Sequence, residues 1–257
     1  MKVIVLGSGS STGTPAVDRG WGRSDPADPR NRRSRPSILV EDGETRLLVD
    51  TSPDLRLQLL AAGVSRLSAV LYTHAHADHL HGIDDLRAVN RANGAALDIY
   101  ADAPTLEIIG RRFGYVLKPL DAGATFFYKP VLVPHEVRDG EPFLAGGMEV
   151  LPFVQGHGFG HTLGFRFGRV AYSTDAVELS EEAFALLAGI DVWIIGTLTD
   201  TPHPTHCHVD KALEWVRRVR PQQTVLTHLG LDLDHATLSA RLPPSVVPAY
   251  DGMVIEA

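Results

Sequence analysis

The chain has one cysteine, no long apolar run and no excess of basic residues, and each shortage excludes a class of protein. Cys207 alone cannot form an internal disulfide or a cysteine-rich structural zinc site. The apolar runs have the length of strands, and Val3–Leu6 is too short for a signal-peptide core or a membrane span, so we expect a cytoplasmic protein with no membrane partner. With 24 Lys and Arg against 31 Asp and Glu, the net charge of −7 disfavours nucleic acid as a partner.

The composition predicts one folded domain. The 257 residues are 44% hydrophobic and 21% charged, as in an ordinary globular protein. A layered α/β fold of this length is commonly a single domain, which we place at residues 1–257. Residues 114–147 lack a clear period, and long stretches of this kind are often functional insertions. We interpret this stretch as a lid that shapes a binding site or as a contact in a homodimer.

The order of the predicted elements indicates an α/β fold, a four-layer αββα sandwich of two sheets covered by outer helices. A hairpin is predicted at Asp42–Gly43, and a helix is predicted to begin at Ser52–Asp54 and to end at Gly63. The other predicted helices are 84–93, 104–113, 181–187 and 209–219. The predicted strands are 2–6, 36–40, 46–49, 69–72, 98–101, 148–154, 164–167, 170–172, 192–195, 224–226 and 253–255.

The densest group of candidate ligands is Thr73–His79, which follows the apolar run Ala69–Tyr72. Three imidazoles and one carboxylate within six residues are costly to bury unpaired, and all four are good ligands for a divalent metal. His74 and His76 alternate as on an extended segment, so their rings can converge on one ion. The side chains of Asp78 and His79 turn towards a second ion. The segment therefore predicts a site for two metal ions.

The pattern H-x-H-x-D-H after a buried strand resembles the metallo-β-lactamase superfamily of binuclear hydrolases. This resemblance implies three further ligands on later loops, and each expected residue is present after a strand-like segment: His157, Asp175 and His228. It implies that one ion is held by His74, His76 and His157, that a second is held by Asp78, His79 and His228, and that Asp175 bridges them. A ligand set of nitrogen and oxygen suits Mn(II) or Zn(II) and does not decide between them.

The stretch Pro202–His208 sharpens the resemblance to a branch of phosphoribosyl cyclic phosphate phosphodiesterases. It implies that His206 acts at the phosphate and the leaving group, where an imidazolium would stabilise negative charge or give up a proton. The alternative is a surface cap. Asp78 and His206 are the predicted catalytic residues. His203 is predicted to contact substrate, or to be a turn residue.

The chain departs from that branch at its structural zinc site. The branch has clustered cysteines after the first loop, whereas this chain has Asp18–Arg23, and the later histidine position holds Leu231. Both halves of the site are missing together. We therefore expect two divalent ions and no structural third one, with the loop around Trp21 held by packing.

Two further segments offer donors for a phosphate. Ser8 and Ser10 lie in the glycine-rich loop Gly7–Pro15, whose backbone N–H groups can cradle an anion; a turn that holds the backbone near the metal loops is the alternative. The segment Arg30–Arg35 contains four arginines, from which we select Arg32 and Arg35 as candidate anion ligands. A solvated surface loop is the alternative for this segment.

The leading hypothesis is hydrolysis of a small anionic phosphodiester, such as a cyclic phosphate or a nucleotide-like compound, by water activated between two ions. One alternative is ribonuclease Z-like processing of RNA ends. Another is hydrolysis of a lactone, an ester or a β-lactam, since the same water attacks a carbonyl. The alternative outside the enzymes is a metal-dependent carrier or binding protein.

Overall fold

Two β-sheets of seven strands each form the centre of the molecule, and the computed structural model describes all of residues 1–257. In chain order the strands are β1 Lys2–Gly7, β2 Ser37–Asp42, β3 Thr45–Val49, β4 Ala69–Leu71, β5 Leu97–Ala101, β6 Leu132–Glu136, β7 Phe143–Ala145, β8 Met148–His157, β9 Gly160–Phe167, β10 Val170–Ser173, β11 Val192–Gly196, β12 Gln223–Thr227, β13 Val246–Pro248 and β14 Val254–Glu256. One sheet has the order β14-β1-β2-β3-β4-β5-β6, and the other has the order β13-β12-β11-β10-β9-β8-β7.

Seven α-helices accompany the sheets. They are α1 Leu55–Ala62, α2 Ala77–Leu80, α3 Leu86–Asn93, α4 Ala103–Phe113, α5 Glu181–Leu186, α6 Val209–Val219 and α7 His235–Arg241. Helix α1 ends as predicted at Gly63, whose positive φ of 66° lets its N–H bond to the carbonyls of Leu59 and Leu60. No helix is long and apolar enough to cross a membrane.

Three apolar clusters separate the molecule into layers. The central one joins the inner faces of both sheets, with Val3 and Ile38 from the first sheet and Phe165 and Ile194 from the second. The second cluster lies between the first sheet and helices α1, α3 and α4. The third lies between the second sheet and helices α5, α6 and α7. The predicted four-layer αββα sandwich is therefore confirmed.

Residues 114–147 contain more regular structure than the sequence predicts. Strands β6 and β7 lie in this stretch, at one edge of each sheet. An edge strand tolerates proline and exposed side chains, as β6 does at Val133 and Pro134, so no clear alternation marks it. Residues 114–131, which precede β6, form a loop that packs on α3, where Arg91 Nε donates to the carbonyl of Phe127 at 2.7 Å. The sequence also misses α2, α7 and β13.

Candidate metal centre

Loops at the ends of several strands bring seven His and Asp side chains together in two groups. The first group is His74, His76, His157 and Asp175, and the second is Asp78, His79, Asp175 and His228. Within each group, one candidate ligand atom per residue lies within 4.8 Å of all the others. All seven metal ligands predicted from the sequence are therefore brought together, although their binding of metal stays a prediction.

Asp175 belongs to both groups, and its two oxygens face different ones. Its Oδ2 lies 3.7 Å from His74 Nε2 and 3.8 Å from His157 Nε2. Its Oδ1 lies 3.4 Å from His79 Nε2 and 3.1 Å from His228 Nε2. Two ligand atoms bound at about 2.0–2.1 Å to one tetrahedral ion lie roughly 3.3 Å apart, so these separations suit a carboxylate shared by two ions.

Several buried polar atoms that face the middle of the centre lack hydrogen-bond partners within the protein. These atoms include His74 Nε2, Asp78 Oδ2, His79 Nε2 and His228 Nε2. An unpaired polar atom in a protein interior is costly, and buried groups without partners usually mark a water or ion. The donor set of imidazole nitrogens and carboxylate oxygens also suits Zn(II) or Mn(II). The residues present therefore fit a divalent metal.

Asp50 supports both groups from behind, and sequence reasoning does not identify it as part of the site. It is fully buried and accepts hydrogen bonds at 2.8 Å from the N–H and from the hydroxyl of Thr73. Its Oδ2 lies 2.6 Å from His79 Nδ1, while Thr73 Oγ1 lies 3.0 Å from His74 Nδ1. Such contacts fix ring orientation and leave Nε2 free for a metal. His157 is fixed similarly, since its Nδ1 lies 2.7 Å from the carbonyl oxygen of Thr205.

The backbone of the centre holds unusual conformations. Only four residues other than glycine have positive φ, and three of them belong to the centre: Asp50 at 66°, Asp175 at 51° and His228 at 55°. The fourth, Arg220, ends α6. The left-handed region is unfavourable for side chains other than glycine and tends to occur at functional sites. Packing of the loops therefore holds these three side chains in place against local strain.

Charges in the centre shift the pKa values in opposite directions. Burial alone would lower the pKa of His79, but the carboxylates of Asp78, Asp175 and Asp50 raise it well above its ordinary value. Burial would raise the pKa of Asp175, but the surrounding histidines, His228 first among them, hold it well below its ordinary value. Burial lowers the pKa of His74. In the metal-free chain, protons on imidazoles thus supply positive charge that a cation would otherwise bring.

A polar cavity of about 650 Å³ opens over the first group. His74, His76, His157, Asp78 and Asp175 form its floor, and His206 lies beside them, with Nδ1 3.9 Å from Asp175 Oδ2. Burial lowers the pKa of His206 to about 3, so the metal-free chain carries a neutral imidazole there. The outer wall includes Ser11, Asp102, Thr105, Ile108, Arg112, Phe159 and His161. No residue of 114–147 lines this cavity, which gives the lid interpretation no support.

Ser8 and Ser10 of the loop Gly7–Pro15 are buried and do not line the metal cavity. Ser8 is fully buried, and both its N–H and its hydroxyl donate to Asp251 Oδ1 at 2.8 Å. The N–H of Ser10 donates to the carbonyl of Leu229. Both donors of Ser8 and the N–H of Ser10 are thus used within the protein, and contact of these two serines with substrate stays a prediction. Ser11, which was not predicted as a site residue, is the serine of this loop that lines the metal cavity.

The predicted anion ligands Arg32 and Arg35 also lie away from the centre. Both line a separate cavity of about 400 Å³ with residues of the glycine-rich loop. The Arg32 guanidinium lies over the Trp21 ring, 5.1 Å from its centroid, and Arg35 Nε pairs with Asp54 at 2.9 Å. The structure thus places neither arginine in the metal cavity, and their binding of substrate stays a prediction. Arg112, which sequence reasoning misses, supplies the only guanidinium of the metal cavity, and no signal in the sequence distinguishes it from another arginine in the last turn of a helix.

His203 lies next to His206 but does not line the cavity. The ring centroids of the two histidines are 5.2 Å apart, and His203 Nδ1 accepts a hydrogen bond from the N–H of Thr205 at 3.3 Å. It therefore fits the alternative prediction of a turn residue.

The loop around Trp21 is attached to the segment after His228 through Ser24, whose hydroxyl donates to the carbonyl of Leu231 at 2.8 Å.

A family model described as the beta-lactamase superfamily domain matches residues 45–229, a range that contains all seven candidate ligands. The chain belongs to this superfamily. The predicted resemblance to the superfamily is thus confirmed. Together with the fold and the paired His and Asp groups, membership identifies a metal-dependent hydrolase of the metallo-β-lactamase fold.

Several known proteins resemble this superfamily member over much of its length. A crystal structure of a diphosphatase from the PhnP family superimposes with a TM-score of 0.89 and 32% identity, covering 99% of this chain and 96% of that one. The octanoyltransferase of Porphyromonas gingivalis is 34% identical over 259 residues, covering 98% of this chain and 51% of that protein. Ribonuclease Z of Bradyrhizobium is 31% identical over 176 residues, covering 67% and 55%. The chain thus spans about half the length of these two curated relatives.

Proposed function

We propose that this hydrolase cleaves a phosphodiester in a small anionic substrate, with two divalent ions held by the seven residues of the centre. The observation that carries the proposal is the placement of Asp175, which directs one oxygen at each ligand group beneath an open polar cavity. Divalent ions at such a site lower the pKa of water and polarise the oxygens of the bond being broken. No side-chain nucleophile is then needed.

The protein itself supplies the orientation of the ligands and a donor beside them. Asp50, Thr73 and the carbonyl of Thr205 fix the histidine rings, so the ligand set is held before substrate arrives. Hydrolysis joins a water oxygen to phosphorus and breaks the bond from phosphorus to the leaving oxygen. The electron pair of that bond stays on the leaving oxygen, which must be protonated or stabilised.

His206 is placed to assist the leaving oxygen. It lines the cavity, and its ring lies against those of His157 and His228, with centroids 4.9 and 5.1 Å away. As a neutral imidazole it can donate a hydrogen bond to a phosphate oxygen. A bound phosphate would also raise the pKa of the ring by bringing negative charge close to it, which favours transfer of a proton to the leaving oxygen.

Two considerations support a small phosphate substrate over the alternatives. The diphosphatase that the chain resembles along its whole length acts, by its description, on a phosphate compound. RNA processing has the ribonuclease Z relative in its favour, but the cavity wall provides one arginine and no lysine, which is little for gripping a nucleic acid backbone. Lactone, ester or β-lactam hydrolysis and a carrier role are the remaining alternatives.

The proposal is tested by comparing substrates on metal-loaded protein. Bis-para-nitrophenyl phosphate should be hydrolysed with a higher kcat/KM than nitrocefin or a simple lactone, and inorganic phosphate should inhibit. Asp175→Ala should abolish this turnover, whereas Asp98→Asn, which alters an exposed carboxylate beside His135, should leave it unchanged. A preference for the lactam or lactone without inhibition by phosphate would overturn the proposal.

A further inference from the structure

Arg112 stands out in the metal cavity as a cation without a carboxylate partner. It is the only lysine or arginine that lines the cavity. Its single side-chain hydrogen bond runs from Nη1 to the main-chain oxygen of Ala75, 3.3 Å away. Ala75 lies between the candidate ligands His74 and His76, so the guanidinium is held directly beside the first ligand group.

Asp102, the other charged residue of α4 that lines the cavity, does not pair with Arg112, because it precedes the helix whereas Arg112 lies in the last turn, roughly 15 Å away along the axis. Asp102 begins α4, where its Oδ1 accepts the N–H of Thr105 at 3.0 Å. Its Oδ2 lies 2.7 Å from His161 Nε2, on the hairpin that forms the opposite wall. This contact links the start of α4 to the hairpin of β8 and β9. Most of the donors of the guanidinium remain free for a ligand.

The size and position of the cavity indicate what that ligand is. A phosphoryl group at the ligand groups would already face Asp175, His206 and the ions, so it has no need of a guanidinium at the side wall. At about 650 Å³ the cavity is large enough for a ligand well beyond one phosphodiester. Guanidinium groups bind phosphoryl oxygens through paired hydrogen bonds, which favours an anion at this place.

We propose that Arg112 binds a second phosphoryl group, so that the preferred substrate contains a diphosphate linkage; this inference rests on the proposed function. Hydrolysis of a diphosphate diester consumes one water and yields two phosphate monoesters. The water oxygen bonds to the phosphorus under attack, and the bridging bond breaks. Its electron pair stays with the departing phosphate, and a proton is released to solvent. Arg112 would bind the phosphoryl group that is not attacked.

The test compares two substrates that differ in the number of phosphoryl groups. Bis-para-nitrophenyl phosphate contains one, and P1,P2-di(para-nitrophenyl) diphosphate contains two between the same aryl groups. Products are quantified by chromatography. Wild type should prefer the diphosphate. Arg112→Met should lower the ratio of kcat/KM for the diphosphate over that for the monophosphate by about 10- to 100-fold, the usual range for lost hydrogen bonds to a charged group. Arg112→Lys, which keeps the charge but not the fork, should fall between.

A matched control is available on the same helix. Arg111 is exposed and does not line the cavity, so Arg111→Met should leave the ratio unchanged. A second readout does not depend on turnover. Calorimetric binding of a methylene-bridged diphosphate diester to metal-loaded protein should weaken at least about 10-fold in Arg112→Met and remain as in wild type in Arg111→Met.

The outcomes separate this inference from the proposed function. If wild type hydrolyses neither phosphate compound, the proposed function fails, and the binding measurement still decides the role of Arg112. Equal losses for both substrates in Arg112→Met, or unchanged binding of the methylene-bridged analogue, would overturn the inference while the phosphodiesterase proposal stands.

Discussion

Asp50→Asn is the sharpest test of how the protein prepares its ligands. The substitution keeps the size of a fully buried side chain but removes its charge and turns one acceptor into a donor facing His79 Nδ1, which now lies 2.6 Å from Asp50 Oδ2. Hydrogen bonds to charged groups contribute about 1.5–3 kcal/mol. Loss of an outer partner of a ligating histidine typically weakens metal binding by about 10- to 100-fold, or roughly 1.4–2.8 kcal/mol. The two figures agree.

Calorimetric titration of Zn(II) or Mn(II) into metal-free protein measures this loss. We expect binding of the ion at the second ligand group to weaken by about 10- to 100-fold in Asp50→Asn, because the ring of His79 loses the partner that keeps Nε2 free. Asp98→Asn is the matched control, since Asp98 Oδ1 lies 2.9 Å from His135 Nε2 at an exposed place, where such pairs contribute at most about 1 kcal/mol. Unchanged metal affinity in Asp50→Asn, or equal losses in both variants, would refute the reasoning.

Three further predictions concern other residues of the centre and one residue outside it. His206→Ala should keep its metals yet lose turnover by about 10²- to 10⁴-fold, whereas His203→Ala should stay near wild type; metal loss in His206→Ala would show by metal analysis that it is a ligand. Because carboxylates raise the pKa of His79, the metal-free chain keeps a proton there that a metal must displace. The apparent dissociation constant of the metal should therefore decrease as pH rises from about 6 to 8, and titrations in buffers of different ionisation enthalpy should show the released proton. A metal affinity that falls as pH rises would contradict this. Burial raises the pKa of the Cys207 thiol to about 12, so a thiol reagent at neutral pH should react with unfolded protein only.

The fold was predictable because it depends on local patterns, and the ligand set was predictable because the H-x-H-x-D-H pattern resembles that of a known superfamily. Strands of the core alternate or run apolar, and several candidate ligands lie at or shortly after the end of one, as Asp175 follows β10 and His228 follows β12. Strands β10, β11 and β12 are parallel neighbours, so Asp175 and His228 lie at the same edge of the second sheet. The same logic failed for the edge strands β6 and β7, whose exposed positions remove the pattern.

The support and the outer wall of the site were not predictable, because they depend on contacts between distant segments. Asp50 acquires its role only through pairing of β3 with β4, which places it beside Thr73. Ser8 looked like an anion ligand because nothing near it in the sequence indicates that Asp251 accepts both of its donors. Arg112 was not predicted as a site residue, because an arginine in the last turn of a helix is ordinary.

Metal analysis of extensively dialysed protein tests the central claim most directly. Wild type loaded with Zn(II) or Mn(II) should retain two equivalents per chain, and Asp175→Ala should retain at most one, because a single carboxylate serves both ligand groups. A third tightly held equivalent in wild type, a single one, or two retained by Asp175→Ala would contradict a two-ion centre bridged by this residue.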